Sequence, residues 1–362
     1  MSSKATVVCV IVCLLPAVEA GAQTGTPSSG TTPSSARAAS KATANFDSLF
    51  GQLTTGKGKQ VSSARQELTR PLGDPGLSMV KKKAYSAKLG AEFERAMRVK
   101  DVLVRINVMI AVRELLDERA QELAAGGLVD GCPAVRLHAA RAIERFAQED
   151  LLDRGQQNKL LDSLTAAMAA EKSQPVVTSM LTAMSLLTVD RAVAAMLVEL
   201  NGRVSVHAAT RRLPVTAERE ALTRLFRRYV NARLAQKPMP RGTSEQFALV
   251  AFRWHCMSAR ILPGAPIASL QNDHRSMISV CETILNDVVP NLPGAEGAGD
   301  LMPTRKVGAE IEKADPRQIS QRCLAWEAAL EKTGFKKAQL DVPPVKEPTT
   351  RPTSDDDRAM DT

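Results

Sequence analysis

An internal repeat restricts the fold of this chain more than any other feature of its sequence. Three segments, separated by 31 and 41 residues, align so that their apolar positions coincide. The segments begin at Val104, Val135 and Val176. A small residue recurs in the same register at Ala111, Ala142 and Ala183. On an α-helix these positions share one face, and a period of 20 to 50 residues is typical of stacked units that bury a common core.

The repeat lies within a long stretch of helical pattern. Between residues 75 and 338, apolar residues recur at spacings of three and four and not at two, which indicates helices. Glycine and proline divide this stretch into segments of roughly 10 to 20 residues, the usual length of globular helices. We therefore predict an all-α protein with regular repeats over residues 75–200, followed by divergent helical repeats and a C-terminal cap over residues 201–338.

Two of the three copies carry an arginine directly after the first valine. Arg105 and Arg136 fall inside the apolar arc of their helices, where a half-buried guanidinium needs a hydrogen-bonding partner. Asp101 and Asp130 lie just upstream, and either could supply the carboxylate.

The run DGCPAVR at residues 130–136 closely resembles the second helix of a HEAT repeat. The resemblance implies that Pro133 and Pro175 are turn prolines that open inner helices. It also implies that Asp130 and Arg136 belong to a ladder of ion pairs along the stack. The expected architecture is an α-solenoid of stacked antiparallel helix pairs, which specifies a shape and no reaction.

The third copy departs from this pattern. Gln174 precedes Pro175, the proline lies one residue nearer the valine, and Val177 stands where the arginine would be. The resemblance covers about residues 88 to 190 and fades beyond Asn201. It therefore predicts a ladder for the first two copies only.

The first 22 residues are predicted to be a secretory signal. Lys4 precedes an apolar run over residues 5–15, and a small-residue stretch over residues 20–22 offers a cleavage site. The apolar run is shorter than the ~20 residues that span a bilayer, although an uncleaved anchor helix is the alternative. We expect an exported protein, periplasmic or extracellular, with no transmembrane segment after cleavage.

Both ends of the mature chain are predicted to be disordered. Residues 21–40 are mostly Gly, Ser, Thr, Pro and Ala, so we expect residues 23–74 to be a largely disordered, flexible linker. Proline, threonine and charged residues dominate the other end, and we expect residues 339–362 to be a disordered tail.

The sequence offers no recognisable catalytic or metal-binding motif. The segment GQLTTGK at residues 51–57 has phosphate-loop spacing but is followed by Gly58 where a magnesium-binding hydroxyl belongs. The four histidines have no paired spacing for zinc. His255, in the most apolar helix, is interpreted as a core residue. We expect no cofactor and no enzymatic activity, although a site assembled from distant residues would leave no such motif.

Four cysteines remain once the signal is removed, and none has CxxC spacing: Cys132, Cys256, Cys281 and Cys323. We interpret them as small buried apolar residues and not as a disulfide framework. Cys256 and Cys281 lie on consecutive predicted helices and are the pair we expect if a disulfide exists.

Positive charge is concentrated in one region. The chain carries a net charge of +9, and residues 201–260 hold twelve basic residues against three acidic ones. A concentrated basic surface attracts anionic partners, namely acidic protein segments, lipid headgroups, cell-wall polymers or nucleic acid. Nucleic acid is the least favoured, because aromatic residues for base stacking are few. The candidate surface comprises Arg211, Arg212, Arg224, Arg227, Arg228 and Arg241.

Together these features predict an exported, non-enzymatic scaffold that mediates protein–protein interaction in the cell envelope. Its basic surface around residues 201–260 would bind an anionic partner. The alternative is an accessory or substrate-binding domain of an envelope enzyme system, with a pocket near His255. A deep cleft lined by His255, Arg260 and His274 would favour that alternative. The sequence predicts no oligomeric state.

Overall fold

The computed structural model describes residues 45–211, 213–304 and 314–345. The predicted signal, over residues 1–22, lies outside these ranges. The described residues form fourteen α-helices and no strand, which confirms the all-α prediction. None of these helices has both the length and the apolar character needed to cross a bilayer.

The helices are numbered in chain order. The first seven are α1 (45–55), α2 (Lys59–Gly73), α3 (Met79–Ala96), α4 (Val102–Val112), α5 (Glu118–Gly127), α6 (Pro133–Gln148) and α7 (Arg154–Met168). The others are α8 (Gln174–Leu186), α9 (Asp190–Thr210), α10 (Thr216–Leu234), α11 (Arg241–Ile261), α12 (Ala268–Val288), α13 (Pro316–Lys332) and α14 (Lys337–Leu340).

These helices stack in two layers. In the first layer each even-numbered helix from α2 to α12 contacts the next even-numbered one. The second layer follows the same rule through the odd-numbered helices from α3 to α13. Helices that are consecutive in the chain also contact each other across the layers, as α5 does with α6 and α11 with α12. This arrangement is the predicted helical solenoid of packed helix pairs.

The repeated apolar residues form the core of the first layer. The aligned residues Val108, Ala139 and Met180, on α4, α6 and α8, are fully buried. The recurring small residues Ala111, Ala142 and Ala183 are buried as well. Small side chains at these positions let neighbouring helices approach closely, while each buried Val or Met contributes about 1.5–3 kcal/mol of hydrophobic free energy.

The second half of the stack is organised around α11. This helix buries twelve residues, among them Phe247, Phe252 and Trp254, and it contacts α9, α12 and α13. The indole N–H of Trp254 donates to the backbone oxygen of Leu200, at 3.0 Å. A helix that is apolar on nearly all sides is buried on nearly all sides, and α11 is therefore the central element of this half.

The prediction of a largely disordered linker over residues 23–74 is wrong for the last part of that segment. Within the segment 23–74, residues 45–55 and 59–73 are helical, and α2 contacts α4. Four residues of α2 are buried at helical spacing: Val61, Ala64, Leu68 and Leu72. The prediction extended the composition of residues 21–40 to a region that does carry large apolar side chains.

The predicted disordered tail also begins too early. Leu340, at the end of α14, and Val342 are both buried. The guanidinium of Arg253 donates to the backbone oxygen of Gln339, at 2.6 Å, and that of Arg260 donates to Val342, at 2.9 Å. Two apolar side chains and two arginines therefore hold this segment, whose composition alone indicated disorder.

Candidate functional site

The first predicted ladder arginine bonds forward along the stack. Arg105 Nε, on α4, lies 2.8 Å from Asp130 Oδ2, in the turn before α6. Asp130 also accepts the backbone N–H of Cys132, at 2.8 Å. Asp101, the other predicted partner, caps α4 instead by accepting the backbone N–H of Leu103. The ion pair thus joins one helix of the first layer to the start of the next.

A second rung follows the same geometry with a residue that the sequence analysis missed. Arg136, on α6, donates to Glu171 through Nε at 2.6 Å and a terminal nitrogen at 3.0 Å. Glu171 accepts the backbone N–H of Ser173, two residues further along the chain. Asp130 accepts the backbone N–H of Cys132 in the same way. Burial raises the pKa of Glu171, but its hydrogen bonds to Arg136 and to the backbone lower the pKa below the ordinary value.

The turn prolines open the helices that follow. Pro133 is the first residue of α6 and Pro175 is the second residue of α8. These positions tolerate proline because the N–H that it lacks has no partner in the first turn of a helix. At the ladder position α8 has Val177, which is fully buried. Along α4, α6 and α8 the arginine ladder therefore has two rungs.

Four of the six predicted surface arginines make contacts within the chain, and three of these bond to a backbone oxygen or to a carboxylate. Arg228 donates to the backbone oxygens of Leu187 and Thr188, and burial lowers the pKa of its guanidinium. Arg211 ends α9 in the left-handed conformation and donates to a backbone oxygen at residue 345. Arg241 pairs with Glu245 at 2.7 Å. These contacts use N–H groups that the prediction assigned to a partner.

The other three differ in their surroundings. Arg212 lies outside the described residues. Arg227 is exposed on α10. Arg224, also on α10, is half-buried, with a terminal nitrogen 3.5 Å from Ser185 Oγ of α8. Of the predicted set, Arg224 alone belongs to the arginine cluster described next.

A set of basic side chains crosses the first layer, and we call it the basic track. It comprises Arg65 of α2, Arg113 just after α4, His138 and Arg141 of α6, and Arg224 of α10. Burial lowers the pKa of His138, and the positive charges of Arg141, Arg113 and Arg65 lower it further. Burial and the neighbouring arginines thus both favour the neutral imidazole, and the positive charge of the track comes from its arginines.

Two carboxylates lie close to the arginines of the basic track. Glu114, next to Arg113, acts on Arg65 and pairs with Arg145 at 2.6 Å. Glu144, on α6, hydrogen-bonds to the Ser179 hydroxyl of α8. Burial raises the pKa of Glu144 even though Ser179 and three arginines of the track, Arg141, Arg224 and Arg113, act to lower it. The influence of arginines from three different segments shows that they converge on this position.

Several donors of the basic track have no partner within the described chain. The Nε atoms of Arg65 and Arg113 and the Nδ1 atom of His138 are buried without a hydrogen bond. An unsatisfied buried polar group costs about 1–3 kcal/mol, so such groups are normally paired with water or with a ligand. Their alignment on successive helices makes this surface a candidate binding site.

A separate cluster surrounds His255, near which the sequence analysis placed an alternative pocket. His255 is fully buried, and its Nε2 lies 3.0 Å from Glu282 Oε1 of α12. Its Nδ1 lies 3.1 Å from Cys323 Sγ of α13. Arg322 holds both oxygens of Glu282, at 2.7 and 2.6 Å. Three helices therefore fix the orientation of this imidazole.

Cys256 completes the cluster. Its sulfur, the Cys323 sulfur and a ring nitrogen of His255 all lie within 4.8 Å of one another. All four cysteines in the described part of the chain are free thiols, and Cys256 faces Cys323 and not the predicted partner Cys281. The sequence could not show this pairing because Cys256 and Cys323 are far apart along the chain.

The cluster is strongly polarised. A hydrogen bond from Cys256, together with His255 and Arg260, lowers the pKa of the Cys323 thiol to about 5 despite burial. Burial lowers the pKa of His255, but Cys323 and Glu282 outweigh it and raise the pKa to about 9. At neutral pH the cluster therefore holds a thiolate beside an imidazolium.

A cavity of about 250 Å³ adjoins the cluster and is lined in part by Cys256, Arg260, Cys323 and Glu327. Cys323 lies in the middle of α13, where backbone N–H groups are used within the helix. Backbone N–H groups in this part of α13 are therefore not available as oxyanion donors to Cys323.

The polar groups expected to line this pocket are only partly present. Arg260 lines the cavity, whereas His255 and His274 are fully buried. His274 Nδ1 lies 3.2 Å from Ser258 Oγ. Burial and the charge of His207 lower the pKa of His274 to about 4, so it is neutral at pH 7.

Comparison with known proteins identifies the architecture no further. No protein-family model and no curated protein matches the sequence. Among solved structures, the chain is similar to one titled as the crystal structure of an engineered protein, with 14% identity and a TM-score of 0.39. That match covers 66% of this chain and 97% of the engineered one. A likeness of this degree says nothing about function.

Proposed function

We propose that the protein is an exported, HEAT-like repeat scaffold that binds an acidic segment of a protein partner along the basic track. The proline-containing turns and the two-rung ladder, Arg105–Asp130 and Arg136–Glu171, support a HEAT-like stack. The apolar run behind Lys4, followed by small residues, supports export.

The observation that carries the proposal is the convergence of Arg65, Arg113, Arg141 and Arg224 on one surface, where the buried Nε atoms of Arg65 and Arg113 have no hydrogen-bonding partner. A carboxylate accepts two parallel hydrogen bonds from one guanidinium, so glutamate or aspartate side chains match these donors in charge and geometry. Packed helices are roughly 8–10 Å apart, and an extended chain advances about 3.3 Å per residue. An acidic residue at about every third position of an extended segment would therefore match the spacing of α2, α4 and α6, whereas α8 carries no residue of the basic track.

A protein segment fits this surface better than nucleic acid does. The basic track contains no Phe, Tyr or Trp side chain on which a base could stack. Glu144 lies among its arginines and would repel a continuous run of phosphates. A polypeptide can place its carboxylates on either side of that position.

Charge reversal within the basic track tests this proposal. The probe is a fluorescently labelled, glutamate-rich peptide, and its binding is followed by anisotropy at moderate ionic strength. Replacing two track arginines, Arg113→Glu and Arg141→Glu, should weaken binding at least tenfold, because each charge-assisted hydrogen bond contributes about 1.5–3 kcal/mol.

The matched control reverses two exposed arginines of the second layer, Arg154→Glu and Arg191→Glu. Their side chains are 77% and 61% exposed, and the total change in charge is the same. We expect the control to bind within about twofold of the unmodified protein at moderate ionic strength, where exposed charges are screened. Equal losses in both variants, or no binding by the unmodified protein, would overturn the proposal.

A further inference from the structure

We propose that His255, Cys256 and Cys323 bind a thiolate-preferring metal ion, Zn²⁺ or Cu⁺. This site is independent of the basic track, so either proposal can fail without the other. Two cysteine sulfurs and one imidazole nitrogen are the donor set that these two ions favour over harder cations.

The positions of the ligand atoms suit one small ion. The three atoms lie within 4.8 Å of one another. Ligand atoms around a tetrahedral zinc are roughly 3.3–3.8 Å apart, given Zn–S and Zn–N distances of about 2.3 and 2.0 Å. Small side-chain rotations of two cysteines on packed helices are enough to close this difference.

The surroundings of His255 support metal ligation more specifically. A histidine that ligates through one nitrogen normally donates its other N–H to a carboxylate, which fixes the tautomer and the orientation of the ring. His255 has this arrangement, because Nε2 faces Glu282 while Nδ1 faces Cys323. Arg322 in turn holds Glu282 through both oxygens. A core histidine needs only one hydrogen-bonding partner. His255 instead contacts a carboxylate that Arg322 holds in place, and it also lies beside two thiols.

The charges and the access route also fit a cation. Arg322 balances Glu282. Binding of the ion would displace the protons that remain on Cys256 and on His255 Nδ1, so that two thiolates supply its negative charge. Arg260 is oriented by its hydrogen bond to Val342 and lies on the cavity wall. Cys323 is partly exposed, and the cavity of about 250 Å³ provides a path for entry. A fourth coordination position of zinc would open towards this cavity.

The test uses the full-length reduced protein under anaerobic conditions. Equilibrium dialysis against Zn²⁺, and separately against Cu⁺ held by a competing chelator, is followed by elemental analysis. We expect one ion per chain in the unmodified protein. Cys323→Ser and His255→Gln should each weaken binding at least tenfold, whereas Cys132→Ser, at a thiol outside the cluster, should not change it. The ion, Zn²⁺ or Cu⁺, that stays bound to the protein against the stronger competing chelator is the metal of this site.

A second measurement keeps the proposal testable if a cluster variant folds poorly. Co²⁺ added to the unmodified protein should give the near-ultraviolet absorption of thiolate-to-cobalt charge transfer, and Cys132→Ser should give the same spectrum. Three results would overturn the site: no binding of any of these ions, undiminished binding by a folded Cys323→Ser variant, or a Cys256–Cys323 disulfide in protein isolated without reductant.

Discussion

The ion pair between Arg136 and Glu171 shows how single residues connect successive units of this stack. The Glu171 side chain is 1% exposed, and it bonds both to Arg136 and to the turn that starts the next helix. Replacing it therefore leaves a half-buried guanidinium and a backbone N–H without an ionised acceptor.

Substituting Glu171→Gln preserves the size of the side chain but removes its charge. We expect the free energy of unfolding to fall by about 1–3 kcal/mol, because charged hydrogen bonds in a partly buried site are lost. Urea denaturation followed by circular dichroism measures this change. Asp162→Asn is the control, since the Asp162–Arg191 pair is about 60% exposed and should contribute less than ~1 kcal/mol. Equal effects of the two substitutions would contradict the role of the ladder.

Sequence reasoning located the ladder arginines but only one of their partners. Asp130 was one of two candidates for Arg105, and geometry selects it because Asp101 is used to cap α4. Glu171 was missed although it lies 41 residues after Asp130, the spacing of the second and third repeats. The two carboxylates differ in residue type and in their distance from the turn proline, because Asp130 lies three residues before Pro133 and Glu171 four residues before Pro175.

At the scale of helices, the tightest contact in the repeat region is at the end of α5. A Cβ atom at Gly127 would lie 2.9 Å from the Ala139 Cβ of α6 and 3.0 Å from the Met109 sulfur of α4. Glycine therefore allows α5 to approach both neighbours. The adjacent Gly126 is exposed, and a Cβ atom there meets nothing within 4 Å.

These neighbouring glycines should respond to alanine in opposite ways. Gly127→Ala forces α5 away from α6 and should lower the free energy of unfolding by about 1–3 kcal/mol. Gly126→Ala restricts the unfolded chain without a clash and should raise it by about 0.4–1 kcal/mol. The denaturation midpoints of the two variants measure both effects, provided that the dependence of the unfolding free energy on denaturant concentration is unchanged. A stabilising Gly127→Ala substitution would show that the helices are not in this close contact.

Helix periodicity predicted most elements because their apolar faces are local in sequence. It failed at α2, where a compositional argument from residues 21–40 was applied to a segment with four buried apolar residues. It also failed at α14, which is held by Arg253 and Arg260 from α11. Those contacts span more than eighty residues, so no local pattern could indicate them.

At the scale of the whole molecule, the two layers decide which charges remain available. The count of basic residues over 201–260 predicted a surface there, but Arg228 and Arg211 donate to backbone oxygens within the chain. Stacking instead brings Arg65, Arg113 and Arg141 together with Arg224, from segments that are not adjacent in sequence. Charge counts cannot show which N–H groups a backbone oxygen already accepts.

The metal-binding cluster likewise exists only at this scale. His255, Cys256 and Cys323 come from two helices, and Glu282 and Arg322 orient the histidine from α12 and α13. In the sequence, His255 has no second histidine or CxxC motif nearby, and it was therefore interpreted as a core residue. Its burial agrees with that interpretation, but the sequence did not indicate that Glu282 and Cys323 lie beside it.

Photo-crosslinking shows whether an acidic polypeptide binds along the basic track. A glutamate-rich peptide with a diazirine at its centre is irradiated with the protein, and the adducts are mapped by mass spectrometry. We predict that adducts concentrate on α2, α4, α6 and α10 of the first layer and disappear when Arg113 and Arg141 are replaced by glutamate. Adducts that spread over both layers, or that are unchanged in that variant, would contradict binding along the basic track.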